Sequence, residues 1–212
     1  MSSRLPLFPL PNLMLYPGAM IPLHLFEPRY LQLMTDLLTA GKREMLIGTL
    51  LPSWEEDYFE APPIAKVAGV GEIIQHQQDE QGNFNIVLRG KHRAVVVDET
   101  PSGKPYRLVE IEAHLEPQLV ASDASAAHQR LLQAIEFLAG SLPQDAELRS
   151  VNYLTDIVLV HLPIPMERKL TVFCELNAIE RARLVLAEFE RLQEVGRSFP
   201  DPEHTPENPL WN

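Results

Sequence analysis

The sequence has only one cysteine, Cys174, among its 212 residues. One thiol excludes an intramolecular disulfide and a zinc site built from several thiolates of one chain, and it is typical of a protein in a reducing compartment. Long apolar runs are missing too, because none approaches the roughly 18 residues that a membrane-spanning helix needs. Prolines interrupt the apolar N-terminus where the core of a signal peptide would lie. We therefore expect a cytoplasmic protein.

Basic residues are also scarce. The chain has 18 Lys and Arg against 29 Asp and Glu, which gives a formal net charge of −11 at pH 7. This balance disfavours a broad phosphate-binding surface and hence nucleic acid as a partner. An RNA-binding alternative would need a local basic face, for which the candidates are Lys91, His92, Arg93, Lys104 and Arg107.

Catalytic motifs are absent from the sequence. It contains no G-x-x-x-x-G-K-[ST] phosphate loop, no G-x-S-x-G elbow and no His pair with zincin spacing. Gly69 and Gly71 are the nearest glycine pattern, but they lie in a predicted strand, where glycine usually marks a bulge. A nucleophilic Cys174 paired with His161 or His128 is disfavoured by the apolar neighbours of the cysteine. We predict a protein that is not an enzyme and needs no cofactor.

Proline is abundant, with 19 residues concentrated towards the two ends of the chain. Residues 5–30 are apolar almost throughout but carry a proline every few positions, so neither a helix nor a long strand can run through them. Short strands are predicted over residues 5–10 and 20–26, with a turn at Tyr16, Pro17 and Gly18 between them. Pro28 then begins an amphipathic helix over residues 29–40.

Further strands are predicted over residues 44–51, 66–78, 83–98 and 106–116, with a hairpin loop at residues 79–82. We expect about six strands, paired as neighbours in sequence, in a small antiparallel barrel. The last strand has an apolar face of Val109, Ile111, Ala113 and Leu115 and a charged face of Glu110, Glu112, His114 and Glu116. We interpret the charged face as solvated and not as a metal site, because carboxylates on one strand do not enclose an ion.

From residue 122 the apolar period changes from two to 3.6, which predicts a domain boundary and a helical bundle. Four helices are expected: about residues 124–140, about 147–162, a short one around 166–173, and one that Asn177 caps and Gly196 ends. The proline-rich tail contains Leu210 and Trp211, which would be able to dock. The predicted domains are a β unit over residues 1–120, a bundle over 121–196 and a tail over 197–212.

The junction between the second strand and the first helix holds the candidate binding residues, which are Phe26, Glu27, Arg29 and Tyr30. An aromatic pair beside opposite charges can line a groove for a polypeptide, with anchors and orientation supplied together. The alternative is that Phe26 and Tyr30 fill the core while the charges stabilise the junction.

Three blocks of sequence, in order and over nearly the whole chain, resemble the N-terminal domain of Lon proteases. The first is the strand-to-helix junction with IPL at residues 21–23 and FEPRY at 26–30. The second covers residues 71–98, with a hairpin loop at Gly82 and then VLRGKHR at 87–93, in which Arg93 follows Gly90 by three positions. The third covers residues 154–162 and the helices after them, including HLP at 161–163. The resemblance implies an α+β fold in which a PUA-like pseudobarrel precedes a helical bundle.

In that family the region resembles a module for substrate recognition and assembly, while the ATPase and Ser-Lys peptidase parts lie elsewhere. This sequence has neither motif, so the resemblance implies a stand-alone, non-catalytic module that binds unfolded polypeptide or a partner protein. An adaptor in protein quality control is the expected role. RNA binding is an alternative because PUA-like barrels of other families bind RNA, and a small-molecule-binding protein is another.

Overall fold

The computed structural model describes residues 2–52, 54–55, 61–99, 101–117, 119 and 125–197. Six strands and one helix form its N-terminal unit. The strands are β1 (Ser2–Leu10), β2 (Met20–Leu25), β3 (Glu44–Thr49), β4 (Val67–Gln78), β5 (Phe84–Glu99) and β6 (Leu108–His114). Helix α1 (Pro28–Thr39) connects β2 to β3. The predicted α+β class is confirmed, and so are the positions of the strands.

Five of these strands close into a ring in the order β5, β4, β3, β1, β6 and back to β5. The sixth, β2, pairs with the first half of β5, and β6 pairs with the second half. The pairings of β3 with β4, of β4 with β5 and of β5 with β6 confirm the expected pairing of sequence neighbours. The expected pairings of β1 with β2 and of β2 with β3 are wrong. In particular, β1 pairs with β3 in parallel and with β6 antiparallel, and not with β2.

The topology differs because the chain between β1 and β2 crosses the sheet instead of turning back in a hairpin. A Cβ on Gly69 would lie 2.2 Å from the carbonyl oxygen of Leu15, and one on Gly90 would lie 2.0 Å from that of Tyr16. Only glycine permits this close approach of two backbones. The predicted bulge is present as well, since the register shifts between Val70 and Gly71.

Four helices follow the β unit, and all four predicted helices are confirmed. They are α2 (Ser125–Ala139), α3 (Val151–His161), α4 (Met166–Phe173) and α5 (Ala178–Arg197), with a 3-10 helix at Ala146–Leu148 before α3. The start of α3 lies later than predicted, because Ser150 caps it by accepting a bond from the amide of Tyr153. The Oδ1 of Asn177 accepts from the amides of Ile179 and Glu180, as expected for the cap of α5.

Some predictions fall on residues outside the described ranges. The proposed boundary at residue 121 and the tail from residue 198, with Leu210 and Trp211, are among them. None of the described helices combines the length and the apolar character that a bilayer crossing requires.

Candidate functional site

The free edge of the sheet lies at β2, because every other described strand has a neighbour on both sides. The carbonyl oxygen of Ala19 accepts a bond from the amide of Gly90 on β5. Backbone groups alternate in direction along a strand, so those of Met20, Pro22 and His24 point away from β5. Proline has no N–H. The edge therefore offers three carbonyl acceptors but only two amide donors.

Exposed apolar side chains flank this edge. Met20 is 65% exposed and Phe26 is 62% exposed. The ring of His24 stacks on Phe26 at 5.9 Å between centroids, and its Nδ1 lies 2.9 Å from Oδ1 of Asn85. We call the backbone edge of residues 20–24 together with the side chains of Met20, His24 and Phe26 the β2 edge site.

The four residues predicted to bind polypeptide divide between surface and core. Phe26 faces solvent, whereas Tyr30 is only 4% exposed and packs edge-on against Phe8, with 4.3 Å between ring centroids. Glu27 and Arg29 form an ion pair at 2.8 Å, and the guanidinium of Arg29 lies over the ring of Tyr30. Of the aromatic pair, only Phe26 is therefore available as an anchor.

A cleft of about 400 Å³ lies beside this junction. Its lining includes Glu27, Arg29 and Tyr30 but not Phe26. Arg107 forms its far wall, where it is held by Glu99 at 2.6 Å and by the carbonyl oxygen of Pro62 at 2.8 Å. Because its charged walls are already paired, the cleft is suited to an apolar side chain and not to an ionic ligand.

The cations named for the RNA-binding alternative do not form an unpaired basic face. Lys91 is bonded to Glu44, Lys104 to Asp36 and Arg107 to Glu99. The Nδ1 of His92 lies 2.9 Å from the carbonyl oxygen of Arg93, and Arg93 itself is fully buried. The RNA-binding alternative therefore finds no unpaired basic face among these five residues.

The predicted faces of β6 also change near its end. Val109 and Ile111 are buried, but Ala113 and Leu115 are exposed, the latter by 75%, because the strand ends at His114 beyond the apolar core. On the charged face, Nε2 of His114 lies 2.9 Å from the carbonyl oxygen of Leu176, and the side chain of Glu116 is only 9% exposed. Among the described residues, no group of three or more potential ligands could hold a metal ion.

Sequence reasoning missed a group of buried charges where the β unit meets the helices. This interface ion cluster consists of Arg93, Glu116, Asp156 and Arg181, and both guanidinium groups are fully buried. Arg93 reaches Oδ1 of Asp156 at 2.6 Å and Oε1 of Glu116 at 3.0 Å, while Arg181 bonds Glu116. Two positive and two negative charges therefore compensate each other at the contact between β5, α3 and α5.

Further bonds satisfy most of the remaining polar atoms of the cluster. Arg93 Nε donates to the carbonyl oxygen of Phe173 at 3.1 Å, and its guanidinium lies 4.6 Å from the centre of that ring. Asn152 donates to Glu116 at 2.7 Å. This density of partners is what a buried ionic group requires, and it indicates a structural role.

The two carboxylates of the cluster respond differently to burial. Burial raises the pKa of Asp156 above its ordinary value, although Arg93 partly offsets the effect. Burial also acts to raise the pKa of Glu116, but the charges of Arg181 and Arg93 and bonds from Arg181 and Asn152 outweigh it, so the pKa is lowered. Glu116 is thus held ionised by its partners.

Cys174 lies near this interface without the surroundings of a nucleophile. Burial raises the pKa of its thiol, which favours the unreactive protonated form. The histidines proposed as its partners bond to backbone carbonyl oxygens instead, His128 to Arg149 and His161 to Ile157.

The chain matches one protein family over most of its length. The family model described as the ATP-dependent protease La (LON) substrate-binding domain covers residues 4–191. The Lon protease of Roseiflexus castenholzii is 24% identical over 203 residues, which are 90% of this chain and 24% of the relative. The Lon protease 2 of Sorangium cellulosum is 27% identical over 210 residues, 92% of this chain and 26% of the relative. The chain therefore spans about a quarter of the length of these relatives.

Solved structures show the same fold. A Lon N-terminal domain protein from Xanthomonas campestris has a TM-score of 0.65 at 22% identity, covering 87% of this chain and 98% of that one. The N-terminal domain of a Lon protease from the Mycobacterium avium complex has a TM-score of 0.65 at 14% identity, covering 89% and 98%.

Proposed function

Because the chain belongs to the family of the ATP-dependent protease La (LON) substrate-binding domain, we propose that it recognises extended polypeptide segments at the β2 edge site. The observation that carries this proposal is the combination of a free strand edge with two exposed apolar side chains, Met20 and Phe26. An unfolded segment supplies what such a site lacks, namely a second strand and apolar side chains to cover the anchors.

Strand addition fits the recognition of many unrelated sequences, because the backbone bonds do not depend on side-chain identity. Each backbone bond contributes about 0.5–1.5 kcal/mol net, and a buried anchor adds about 1.5–3 kcal/mol. Ordering of the guest opposes these gains. We therefore expect affinities in the micromolar range and not the nanomolar range.

The role proposed for this recognition is that of a cytoplasmic adaptor in protein quality control. It is supported by the matches, which cover the substrate-binding domain of the relatives and not their peptidase or ATPase parts. Binding without chemistry is consistent with the sequence, which contains no phosphate loop or serine elbow.

The first test is fluorescence anisotropy of a labelled, permanently unfolded polypeptide titrated with the protein and with its Phe26→Ala variant. Removal of the anchor is expected to weaken binding about tenfold, which corresponds to about 1.4 kcal/mol. Leu148→Ala is the matched control, since Leu148 is 85% exposed but lies on the 3-10 helix of the helical part. No affinity for any unfolded polypeptide, or an equal loss in both variants, would contradict the proposal.

A second titration separates strand addition from binding through side chains alone. A short apolar peptide is compared with a copy that is N-methylated at alternate residues, so that the side chains stay the same while the backbone donors on one side are removed. Strand addition at Met20, Pro22 and His24 requires the unmethylated donors, so binding of the methylated copy is expected to be lost. Equal binding of the two peptides would restrict the site to its apolar anchors.

A further inference from the structure

Three exposed cations line a wide groove on the described surface. Arg4 lies on β1, and Lys42 and Arg43 lie between α1 and β3, around a groove of about 1070 Å³. None of the three forms an ion pair with a described residue, although Arg4 lies opposite Glu110 in the strand register. In a chain with a net charge of −11, such a group of uncompensated cations needs an explanation.

The acidic residues of the same groove are occupied by other partners. Lys104 and the hydroxyl of Tyr106 both bond Asp36, at 2.8 Å and 2.7 Å. Glu44 is bonded to Lys91 outside the groove, and Glu72 to Arg89 at 2.7 Å. Arg43 also lowers the pKa of Glu72, but it comes after Arg89 and Lys91 among the causes and forms no ion pair with Glu72. The carboxylates therefore leave Arg4, Lys42 and Arg43 free to act on a ligand.

The backbone holds Lys42 and Arg43 in place independently of their charges. Gly41, at φ +64°, ends α1, and the amides of Gly41 and Lys42 donate to the carbonyl oxygens of Leu38 and Leu37. These two bonds satisfy carbonyl groups at the end of the helix. The carbonyl oxygen of Arg43 accepts from the amide of Ile73 at 2.7 Å. The cations are thus presented from a fixed turn between a helix and a strand.

The floor of the groove is apolar. Leu5, Pro6 and Leu37 are buried beneath it, and Leu108 is half-buried. Bases of a single-stranded nucleic acid would need an exposed aromatic ring to stack on. Tyr106, the aromatic residue of the lining, is only 8% exposed, and its hydroxyl is bonded to Asp36. An apolar floor with a cationic rim matches a polypeptide better than a nucleic acid.

We propose that this groove binds acidic polypeptide segments, in which carboxylates pair with Arg4, Lys42 and Arg43 while neighbouring apolar side chains lie on the floor. The site is separate from the β2 edge site and does not rest on the function proposed there. Because the rest of the protein repels acidic chains, the groove would also fix where and in which orientation such a segment approaches.

The test uses a labelled peptide of repeated Asp-Leu-Glu-Ser units, its Asn-Leu-Gln-Ser counterpart and a labelled oligouridine, each titrated by fluorescence anisotropy. The acidic peptide is expected to bind, and its affinity should fall as salt is added because exposed charges are screened. Tighter binding of the oligouridine, or equal binding of the uncharged peptide, would overturn the proposal.

Lys42→Glu is the variant that tests the location, and Lys66→Glu is its matched control. Lys66 is exposed and forms no ion pair with a described residue, and it precedes β4, about 20 Å along the strand from Glu72. We expect Lys42→Glu to weaken binding of the acidic peptide at least about tenfold. Lys66→Glu should weaken this binding less than about twofold. Equal losses would show a general charge effect and overturn the site. If the Phe26→Ala variant no longer bound the acidic peptide, the conclusion that the two sites are separate would be overturned.

Discussion

The basic residues of two regions of this molecule differ in burial and in pairing. In the interface ion cluster, Arg93 and Arg181 are fully buried, and Arg93 meets carboxylate oxygens at 2.6 Å and 3.0 Å. At the groove beside α1, Arg4, Lys42 and Arg43 are exposed and have no carboxylate partner among the described residues. A buried charge must be compensated because desolvation is costly, whereas water compensates an exposed one. The first set therefore maintains the fold, and the second remains available to a ligand.

The largest effect is expected for Arg93→Met, which leaves Asp156 buried without its main partner. Breaking a buried ion pair from one side typically costs about 3–5 kcal/mol of unfolding free energy, and urea denaturation measures it. The double variant Arg93→Met, Asp156→Leu removes both charges and should be less destabilised than the sum of the single variants. Additive losses would mean that the two residues do not stabilise the fold as a pair.

A smaller, pH-dependent effect is expected for Glu116→Gln. The charged bonds to Arg93 and Arg181 are weakened, at a cost of about 1.5–3 kcal/mol. Because the partners lower the pKa of Glu116 in the folded protein, its stabilisation is present above the unfolded pKa of about 4.3 and is lost as pH falls below it. The difference in unfolding free energy between the two proteins should therefore be largest at neutral pH and shrink in acid. A difference that grows in acid would contradict this assignment.

The smallest effect is expected for Lys42→Ala combined with Arg43→Ala. Neither side chain forms an ion pair with a described residue, so the unfolding free energy should change by no more than about 0.5 kcal/mol. Thermal unfolding provides the measurement. A loss well above that value would give these cations a place in the fold and would remove the contrast with the interface ion cluster.

Local structure and the pairings from β3 to β6 were largely predictable from the sequence, whereas the partners of β1 and β2 were not. The apolar period and Asn177 gave α5 its start, and the limits of α4 follow from the same pattern. The pairing of β1 depends on a crossing in which Leu15 and Tyr16 pass over Gly69 and Gly90. These residues are far apart in the chain, and no local pattern connects them.

The same limit applies to the candidate sites. Sequence spacing placed Phe26 and Tyr30 together, but only the packing of Tyr30 against Phe8 shows which of them is buried. The sequence offers Arg93 only as a candidate for a basic face and does not reveal its partner Asp156, which lies 63 residues away. A signal for the cluster was present, since Asp156 is the one acidic residue of helix α3, whose other residues are mostly apolar. A buried acid predicts a partner without identifying it.

The proline of the edge strand also affects how copies of this protein behave towards each other. If two molecules met through their β2 strands, each Pro22 would leave a carbonyl group of the other copy without a donor. Two copies paired in this way would lose two bonds, one at each Pro22, whereas a strand without proline at the facing position would lose only one. Pro22 therefore disfavours self-association through this edge more than it disfavours the addition of a different strand.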